Sequence, residues 1–296
     1  MRADTLMKSE LEGTLRAACR LRGVDWAKPL LNHKRTKQIL DRLRGWPARP
    51  HKLTADKLPL LFEIRFAAAL AAAGLSAEYE YNAGVGDSTI DFRVATDPPW
   101  LVELVSLRES EAFKKASWND GVCQGYILDT HAEDPKQSLE GEAVRAQEKI
   151  GAKIFDGKKP IKFPEPSGCI HMVMVDARGF GGDGHGDVGD WRQIVHGPAG
   201  LERPEVLCWT NPKTGNRKPI SGLFEPECPL GAAKTSRDRV HVIGFVCEKI
   251  FAEREISEQA FYLCNPHLLG DAKAAQATMS GWPLRRAAAP GWPEDG

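Results

Sequence analysis

Two acidic residues lie inside consecutive segments that read as β-strands. Asp91 lies within residues 89–95 (TIDFRVA), and Glu103 lies within residues 100–106 (WLVELVS). A third acid, Glu63, lies in the apolar stretch LPLLFEIRFAAAL that precedes them. Acids are disfavoured inside strands because they fit the ladder poorly and lose hydration when they are buried. A hard divalent cation shared by carboxylates offsets that cost, and such a cation assists hydrolysis of phosphodiester bonds.

The spacing of the two strand acids is compatible with a shared site across a hairpin. Residues directly opposite each other in an antiparallel pair point to the same face of the sheet. Pairing Asp91 with Glu103 also pairs Arg93 with Leu101 and centres the turn on Asp97, inside TDPP, where turn chemistry is strongest. The two carboxylates would then have Cβ atoms roughly 5 Å apart. Carboxylates this close repel each other unless a cation lies between them.

The acids must be positioned by one helix and a three-stranded meander. Helical spacing of apolar residues predicts a helix over 55–73, and residues 76–81, 89–95 and 100–106 have the composition of short strands joined by tight turns. Further along the chain, the pattern predicts helices at 5–21, 35–45, 109–116 and 138–155, and strands at 169–176, 240–248 and 260–263. This order predicts an α/β protein with a mixed central sheet flanked by helices.

The same pattern suggests how the chain is organised. We expect a basic N-terminal helical extension, a core, an irregular insertion, C-terminal strands that complete the core, and a flexible tail. Their predicted bounds are 1–50, 51–180, 181–239, 240–269 and 270–296 respectively. The segment GGDGHGD at 181–187 is expected to be a loop, since it lacks the strand, helix and lysine of a phosphate-binding loop.

Charge is balanced overall but unevenly distributed. Lys and Arg number 40, as do Asp and Glu, while residues 1–50 hold twelve basic residues against five acidic ones. A basic segment points to a polyanionic partner, although solvated faces of ordinary helices would give the same count. The seven cysteines include no CxxC pair, and no apolar run reaches membrane-spanning length. We therefore expect a cytoplasmic protein without a membrane partner.

The helix that carries Glu63, the meander that carries Asp91 and Glu103, and the helix and strand that follow resemble the core of the PD-(D/E)XK nuclease superfamily. The resemblance covers residues 55–176, under half of the chain. It implies a restriction-endonuclease-like fold and hydrolysis of nucleic acid, with DNA favoured over RNA, and with Mg²⁺ or Mn²⁺ as cofactor. By position, Asp91 and Glu103 would hold the metal and Glu63 would assist. A homodimer stays open.

The sequence departs from this family at one position. The family's lysine is expected two residues after Glu103, where this chain has Val105. Some members supply the cation from the helix after the third strand. That helix has Lys149 and Lys153 four residues apart on one face, in line with Arg145. Lys149 and Lys153 are therefore the predicted catalytic cations, unless this stripe is only the solvated face of the helix.

Three further polar residues lie near these positions in the sequence. Gln147 lies on a neighbouring face of the same helix and is a candidate polar contributor. Ser106 and Arg108 are nearer to Glu103 in sequence, but Ser106 is expected to point to the opposite face of the sheet.

The sequence leaves three alternatives to this interpretation open. Glu63 could lie on the wet face of its helix, paired with Arg65 or Lys57. The chain could be a catalytically degenerate nuclease fold that binds nucleic acid or a protein. It could also be a metal-independent hydrolase that uses Cys169 and His171, which share a strand face.

Overall fold

The structure is a computed structural model that describes residues 2–44, 57–108, 110–119, 124–126, 138–177, 180, 188–198, 208–210, 214–246 and 256–285. The helices are α1 (Arg2–Arg20), α2 (Lys28–Asn32), α3 (Lys34–Arg44), α4 (Leu58–Ala72), α5 (Glu111–Ala116), α6 (Leu139–Gly151), α7 (Val188–His196), α8 (Gly231–Arg239), α9 (Ile256–Gln259), α10 (Pro266–Leu269) and α11 (Ala272–Ser280), with a 3₁₀ turn at Asp25–Ala27. The strands are β1 (Ala77–Tyr81), β2 (Ile90–Val94), β3 (Trp100–Ser106), β4 (Ser117–Asn119), β5 (Gln124–Tyr126), β6 (Ile170–Asp176), β7 (Cys208–Thr210), β8 (Arg217–Pro219), β9 (Val242–Val246) and β10 (Ala260–Cys264).

A six-stranded mixed sheet lies at the centre of the described chain. Its strand order is β1-β2-β3-β6-β9-β10. The first three strands form an antiparallel meander, β6 and β9 run parallel to β3, and β10 runs antiparallel to β9. The predicted α/β class with a mixed sheet flanked by helices is confirmed. The strands β4 and β5 form a separate hairpin, as do β7 and β8.

Helices cover both faces of this sheet. Val102 of β3 packs in a hydrophobic cluster with Phe62 of α4. Its neighbours Leu101 and Val105 point the other way and pack in a second cluster with Ile150 of α6. We call these two sides the α4 face and the α6 face. Because both faces are covered, the segment WLVELVS is apolar except for Glu103 and the terminal Ser106.

The basic N-terminal region is part of the core rather than a separate extension. Leu21, Leu30 and Ile39 belong to the same hydrophobic cluster as Phe62 of α4, and α1 packs directly against α4. Both α1 and α3 are amphipathic, so their apolar residues join this cluster while their charged residues remain outside. Residues 45–56, which include the expected boundary at position 50, lie outside the described residues.

The expected insertion and tail also contain ordered, packed elements. Trp191 of α7 stacks on Phe245 of β9, with ring centroids 4.6 Å apart, so part of the segment 181–239 covers the α6 face. Trp282, which follows α11, packs against Trp100, with ring centroids 4.7 Å apart. A single large aromatic side chain buries enough apolar area to anchor a segment whose composition otherwise looks loose. Residues 181–187, which were expected to form a loop, and residues 286–296 lie outside the described residues.

No helix among the described residues is long and apolar enough to cross a membrane.

A buried amide joins the C-terminal strands to the rest of the core. Asn265, at the end of β10, has no exposed surface. Its Nδ2 donates to the carbonyl oxygens of Val240 at 2.7 Å and Arg237 at 2.8 Å, and its Oδ1 accepts a hydrogen bond from the His267 N–H at 3.0 Å. This side chain therefore satisfies backbone groups at the end of α8 and the start of α10.

We expect Asn265→Ala to lower the free energy of unfolding by about 2–4 kcal/mol, because it leaves several buried backbone groups without partners. Urea unfolding monitored by circular dichroism would measure the loss. Asn216→Ala is the matched control, since Asn216 is exposed, and it should change the value by less than about 0.5 kcal/mol. Equal effects of the two substitutions would contradict this role of Asn265.

Candidate active site

The two strand acids lie side by side where β2 begins. The register pairs Arg93 with Leu101 and Phe92 with Val102, as the position of the turn predicts. One residue further, the Asp91 Oδ2 accepts a hydrogen bond from the Leu104 N–H at 2.6 Å. The Asp91 N–H donates to the Glu103 Oε2 at 3.4 Å. Here the Leu104 N–H binds a side-chain oxygen of Asp91 instead of a backbone carbonyl of β2. The two acids therefore lie where β2 and β3 separate.

Glu103 is the most enclosed of the three acids, with no exposed surface. Two ammonium groups compensate its charge. The Lys153 Nζ lies 3.1 Å from the Glu103 Oε1, and the Lys162 Nζ lies 3.4 Å from the same oxygen. Lys153 therefore reaches the acid pair from the turn that follows α6, whereas Val105 is buried on the α6 face.

Lys162 is a cation that the sequence patterns did not identify. Its ammonium donates to the Thr89 carbonyl oxygen at 2.6 Å, immediately before β2. It thereby connects the start of β2 to Glu103. Its side chain is only 18% exposed, compared with 42% for Lys153. Of the two, Lys153 is the one with free surface to offer a substrate. The sequence signal that could have indicated this contact is Phe163, next to Lys162, because a large aromatic side chain tends to be buried. In the structure Phe163 is buried in the core.

The remaining polar residues of α6 have different surroundings. Lys149 is exposed and lines the same cavity as Lys153. Gln147 is buried, and its Nε2 donates to the carbonyl oxygens of Ile194 at 2.9 Å and Ser221 at 2.8 Å. Arg145 forms an ion pair with Glu142. The prediction that Gln147 contributes to the site is therefore wrong. Its amide instead connects α6 to α7 and to the segment that follows β8.

Glu63 is partly buried and faces the acid pair rather than open solvent. The Tyr79 O–H on β1 donates to the Glu63 Oε2 at 2.8 Å. Burial raises the pKa of Glu63 to about 7, and the charge of Asp91 adds to the rise. The Tyr79 hydrogen bond and the Lys153 charge oppose it. Tyr79 was not expected at the site, since nothing in its spacing distinguishes it from a packing aromatic.

The electrostatics of the acid pair are set by burial. Burial raises the pKa of Glu103 to about 7, and the nearby Asp91 adds to it, against the opposing effect of Lys153. Burial likewise raises the pKa of Asp91. For Lys153, burial alone would lower the pKa, but Glu103 and Asp91 outweigh it, and the pKa of the ammonium lies above its usual value. The site therefore favours added positive charge.

The carboxylate pair suits a hard divalent cation. Within the described ranges, no group of three or more His, Cys, Asp or Glu side chains is arranged to hold a metal ion. The fitting donor set is therefore Asp91 and Glu103, with the remaining positions left to water and a phosphate oxygen, as Mg²⁺ prefers. Both acids have oxygen lone pairs beyond those used in their hydrogen bonds. Direct ligation by Glu63 stays a prediction, as does an indirect contact through water.

A cavity of about 320 Å³ is lined by Lys153, which contacts Glu103, whereas Asp91 and Glu103 themselves are not among its lining residues. It lies at the end of β3, and its lining includes Glu63, Lys149 and Lys153. This volume is at the lower end of small-molecule pockets. A substrate group could therefore approach Lys153 and the acid pair from this side.

The alternative of a thiol hydrolase is not supported by the surroundings of His171. Its ring has no exposed surface, stacks on Phe163 at 5.0 Å, and has its Nδ1 2.7 Å from the Arg239 carbonyl oxygen. Burial lowers the pKa of His171 to about 4. An imidazole enclosed in this way cannot serve Cys169 as a base for an external substrate.

Glu103→Gln provides a test of the buried charge. The folded-state pKa of Glu103, about 7, lies above its ordinary value of 4.5, so its favourable contribution is present below pH 4.5 and is lost as the pH rises through 7. Glutamine does not titrate. The unfolding free energy of Glu103→Gln minus that of the wild type should therefore increase between pH 4.5 and 7.5, by up to about 3 kcal/mol.

Urea unfolding at several pH values across this range measures the difference. Glu148→Gln, an exposed acid on α6, controls for the loss of a surface carboxylate. A difference for Glu103→Gln that does not change with pH would show that the Glu103 carboxylate is not destabilised by its burial.

Comparison with known proteins finds no match: no protein-family model, no curated protein and no solved structure matches this chain. A functional assignment therefore rests on the site's own residues and their geometry.

Proposed function

We propose that this chain is a metal-dependent nuclease that hydrolyses phosphodiester bonds in DNA, with Mg²⁺ or Mn²⁺ as its cofactor. The observation that carries the proposal is the contact between Lys153 and Glu103, at 3.1 Å, beside Asp91. An acid pair and a partly exposed ammonium are the groups that phosphodiester hydrolysis needs. They meet here although the residue two positions after Glu103 is a valine.

The order of elements supports a restriction-endonuclease-like core. The helix α4 precedes the antiparallel meander β1-β2-β3, and α6 then leads to the parallel strand β6. This is the arrangement that the resemblance to PD-(D/E)XK nucleases implies for the same residues. The acids stand on the second and third strands of the meander, as that resemblance requires.

Each residue of the site has a role in this proposal. Asp91 and Glu103 would hold the cation, which would neutralise negative charge at the scissile phosphate. Lys153 donates to a phosphate oxygen and stabilises the charge that develops on it. Glu63, with a pKa of about 7, can exchange a proton with a water molecule near neutral pH. Tyr79 orients the Glu63 carboxylate for this exchange.

The N-terminal helices support a polyanionic partner. The outer side of α3 presents a set of exposed cations, namely Lys34, Arg35, Lys37, Arg42 and Arg44. Such cations bind the nucleic-acid backbone without reading its sequence, and their contribution weakens as salt increases.

The catalytic proposal is tested with the purified full chain and a panel of single-stranded and double-stranded DNA and RNA, with Mg²⁺ or Mn²⁺. We expect cleavage of DNA that is abolished by chelation. Asp91→Asn, Glu103→Gln and Lys153→Met should each reduce the rate by about 100-fold or more. Lys158→Met removes an exposed cation close to Lys153 in the chain and should leave the rate unchanged.

If every nucleic acid in the panel remained intact under all conditions, the enzyme proposal would be wrong. The degenerate alternative, a nuclease-like fold that only binds, would then be supported if Asp91→Asn bound nucleic acid as tightly as the wild type.

The two lysines on Glu103 should differ in what they contribute. Lys162 is the more buried and bonds a backbone carbonyl, so Lys162→Met should lower the free energy of unfolding by about 2 kcal/mol. Lys153→Met should cost less stability but more catalytic rate, because Lys153 has the exposed surface. Urea unfolding and cleavage rates of both variants under the same conditions measure the two quantities. If Lys162→Met and Lys153→Met lowered the free energy of unfolding and the cleavage rate in the same proportion, this division of roles would be contradicted.

A further inference from the structure

The cavity beside the acid pair extends past the residues that the proposed chemistry uses. Besides Glu63 and Lys153, its lining includes Ser106 at the end of β3, Arg108 two residues later, and Lys149 of α6. Ser106 lies three residues beyond Glu103, which corresponds to about 10 Å along a strand. This part of the cavity is therefore adjacent to the acid pair but distinct from it.

The edge of β3 that pairs with β2 is no longer covered by β2 at Ser106. The Leu104 N–H points toward β2, where it meets the Asp91 side chain. Amides two residues apart in a strand point to the same side, so the Ser106 N–H points to the same edge, beyond the first residue of β2. The opposite edge is occupied, since Ser106 pairs with Asp176 of β6 and the Leu107 N–H donates to the Asp176 carbonyl oxygen.

The donors at this end of the cavity have no acceptors of their own among the residues that the structure describes. Arg108 and Lys149 are both exposed and form no ion pair within that part of the chain. The Ser106 hydroxyl is enclosed and has no hydrogen-bond partner there. The acids nearby are engaged elsewhere, since Glu63 accepts from Tyr79 and Glu103 accepts from Lys153. Two cations and a hydroxyl donor thus border this end of the cavity.

We infer that Ser106, Arg108 and Lys149 form a phosphate-binding subsite, which binds a second phosphate of the nucleic acid whose scissile phosphate lies at Asp91 and Glu103. An arginine donates to two phosphate oxygens at once, a lysine adds a compact positive charge, and a strand-edge amide or hydroxyl donates to the remaining oxygen. The inference rests on the proposed nuclease function for the identity of the ligand. It assigns these three residues to holding and aligning the substrate rather than to the reaction itself.

The same chemistry could be supplied by an internal phosphodiester or by a terminal phosphate of the strand. Both present anionic oxygens of the same geometry to the guanidinium group. Only a test that changes these phosphates one at a time separates them.

The test measures binding of a short fluorescent single-stranded DNA to the full chain without divalent metal, so that cleavage plays no part. Arg108→Gln with Lys149→Gln should raise the Kd about tenfold or more. It should also reduce the slope of log Kd against log salt concentration by about 0.7, the value for one phosphate contact on a single strand. Lys158→Gln, which removes an exposed charge outside the cavity, should change neither quantity.

Modified oligonucleotides then locate the phosphate. One series replaces each internal linkage by a neutral methylphosphonate, and a second removes the terminal phosphate. At the contacted phosphate the modification should weaken wild-type binding and cancel the effect of the double variant, since both remove the same interaction. Cancellation at an internal linkage identifies a phosphodiester, and cancellation at the end identifies a terminal phosphate.

The subsite would be refuted if the double variant and Lys158→Gln weakened binding equally, or if no modification cancelled the effect of the double variant. These outcomes are separate from those of the catalytic proposal. Cleavage that depends on Asp91, together with unchanged binding by the double variant, would retain the nuclease and remove the subsite. Weakened binding by the double variant without any cleavage by the wild type would retain the subsite and remove the nuclease.

Discussion

The constraint on which this site depends is the burial of Glu103 in the middle of a covered sheet. A carboxylate without exposed surface is costly unless charges and hydrogen bonds compensate for it. Lys153 and Lys162 supply the charges and the Asp91 N–H donates to it, at the point where β2 and β3 separate. Each compensating group requires its own segment to be in position, so one buried acid links the meander, the end of α6 and the loop that follows.

The layers of helices on the two faces of the sheet explain why Asp91 and Glu103 lie close to Lys153 where β2 and β3 separate. The α4 face is covered by helices from both ends of the chain, and this packing brings Glu63 toward the acid pair, where Tyr79 holds it. The α6 face is covered by α6 and α7, which Gln147 joins. The site lies between the two layers, where the end of β3 is no longer flanked by β2. It can therefore be open to a substrate while its acids remain largely buried.

Much of the architecture was predictable because it depends on local patterns. The pairing of Asp91 with Glu103 followed from the turn between their strands. The sequence alone did not exclude that Glu63 lies on the solvent-exposed face of its helix, and only the hydrogen bond from Tyr79 excludes it. Positions on α6 were harder to predict, since residues on one helix differ in direction by about 100° for each step along the chain. Which of them points to the sheet depends on how the helix is rotated in its packing. Gln147 and Lys153 were both plausible from sequence, but Gln147 on α6 binds the carbonyl oxygens of Ile194 and Ser221, whereas Lys153 reaches Glu103 from the turn after α6.

The sequence by itself determined the α/β class, the meander, the register of its hairpin and the two acids that this register brings together. These features follow from side-chain periodicity and turn chemistry over a few residues. Only the tertiary structure decided which cations reach Glu103 and that a cavity with unpaired donors lies beside it. Lys153 is 50 residues from Glu103 along the chain, and Lys162 comes from an irregular loop. Contacts at such separations are set by the packing of whole elements, because no local pattern specifies the distance between segments that meet only in the folded chain.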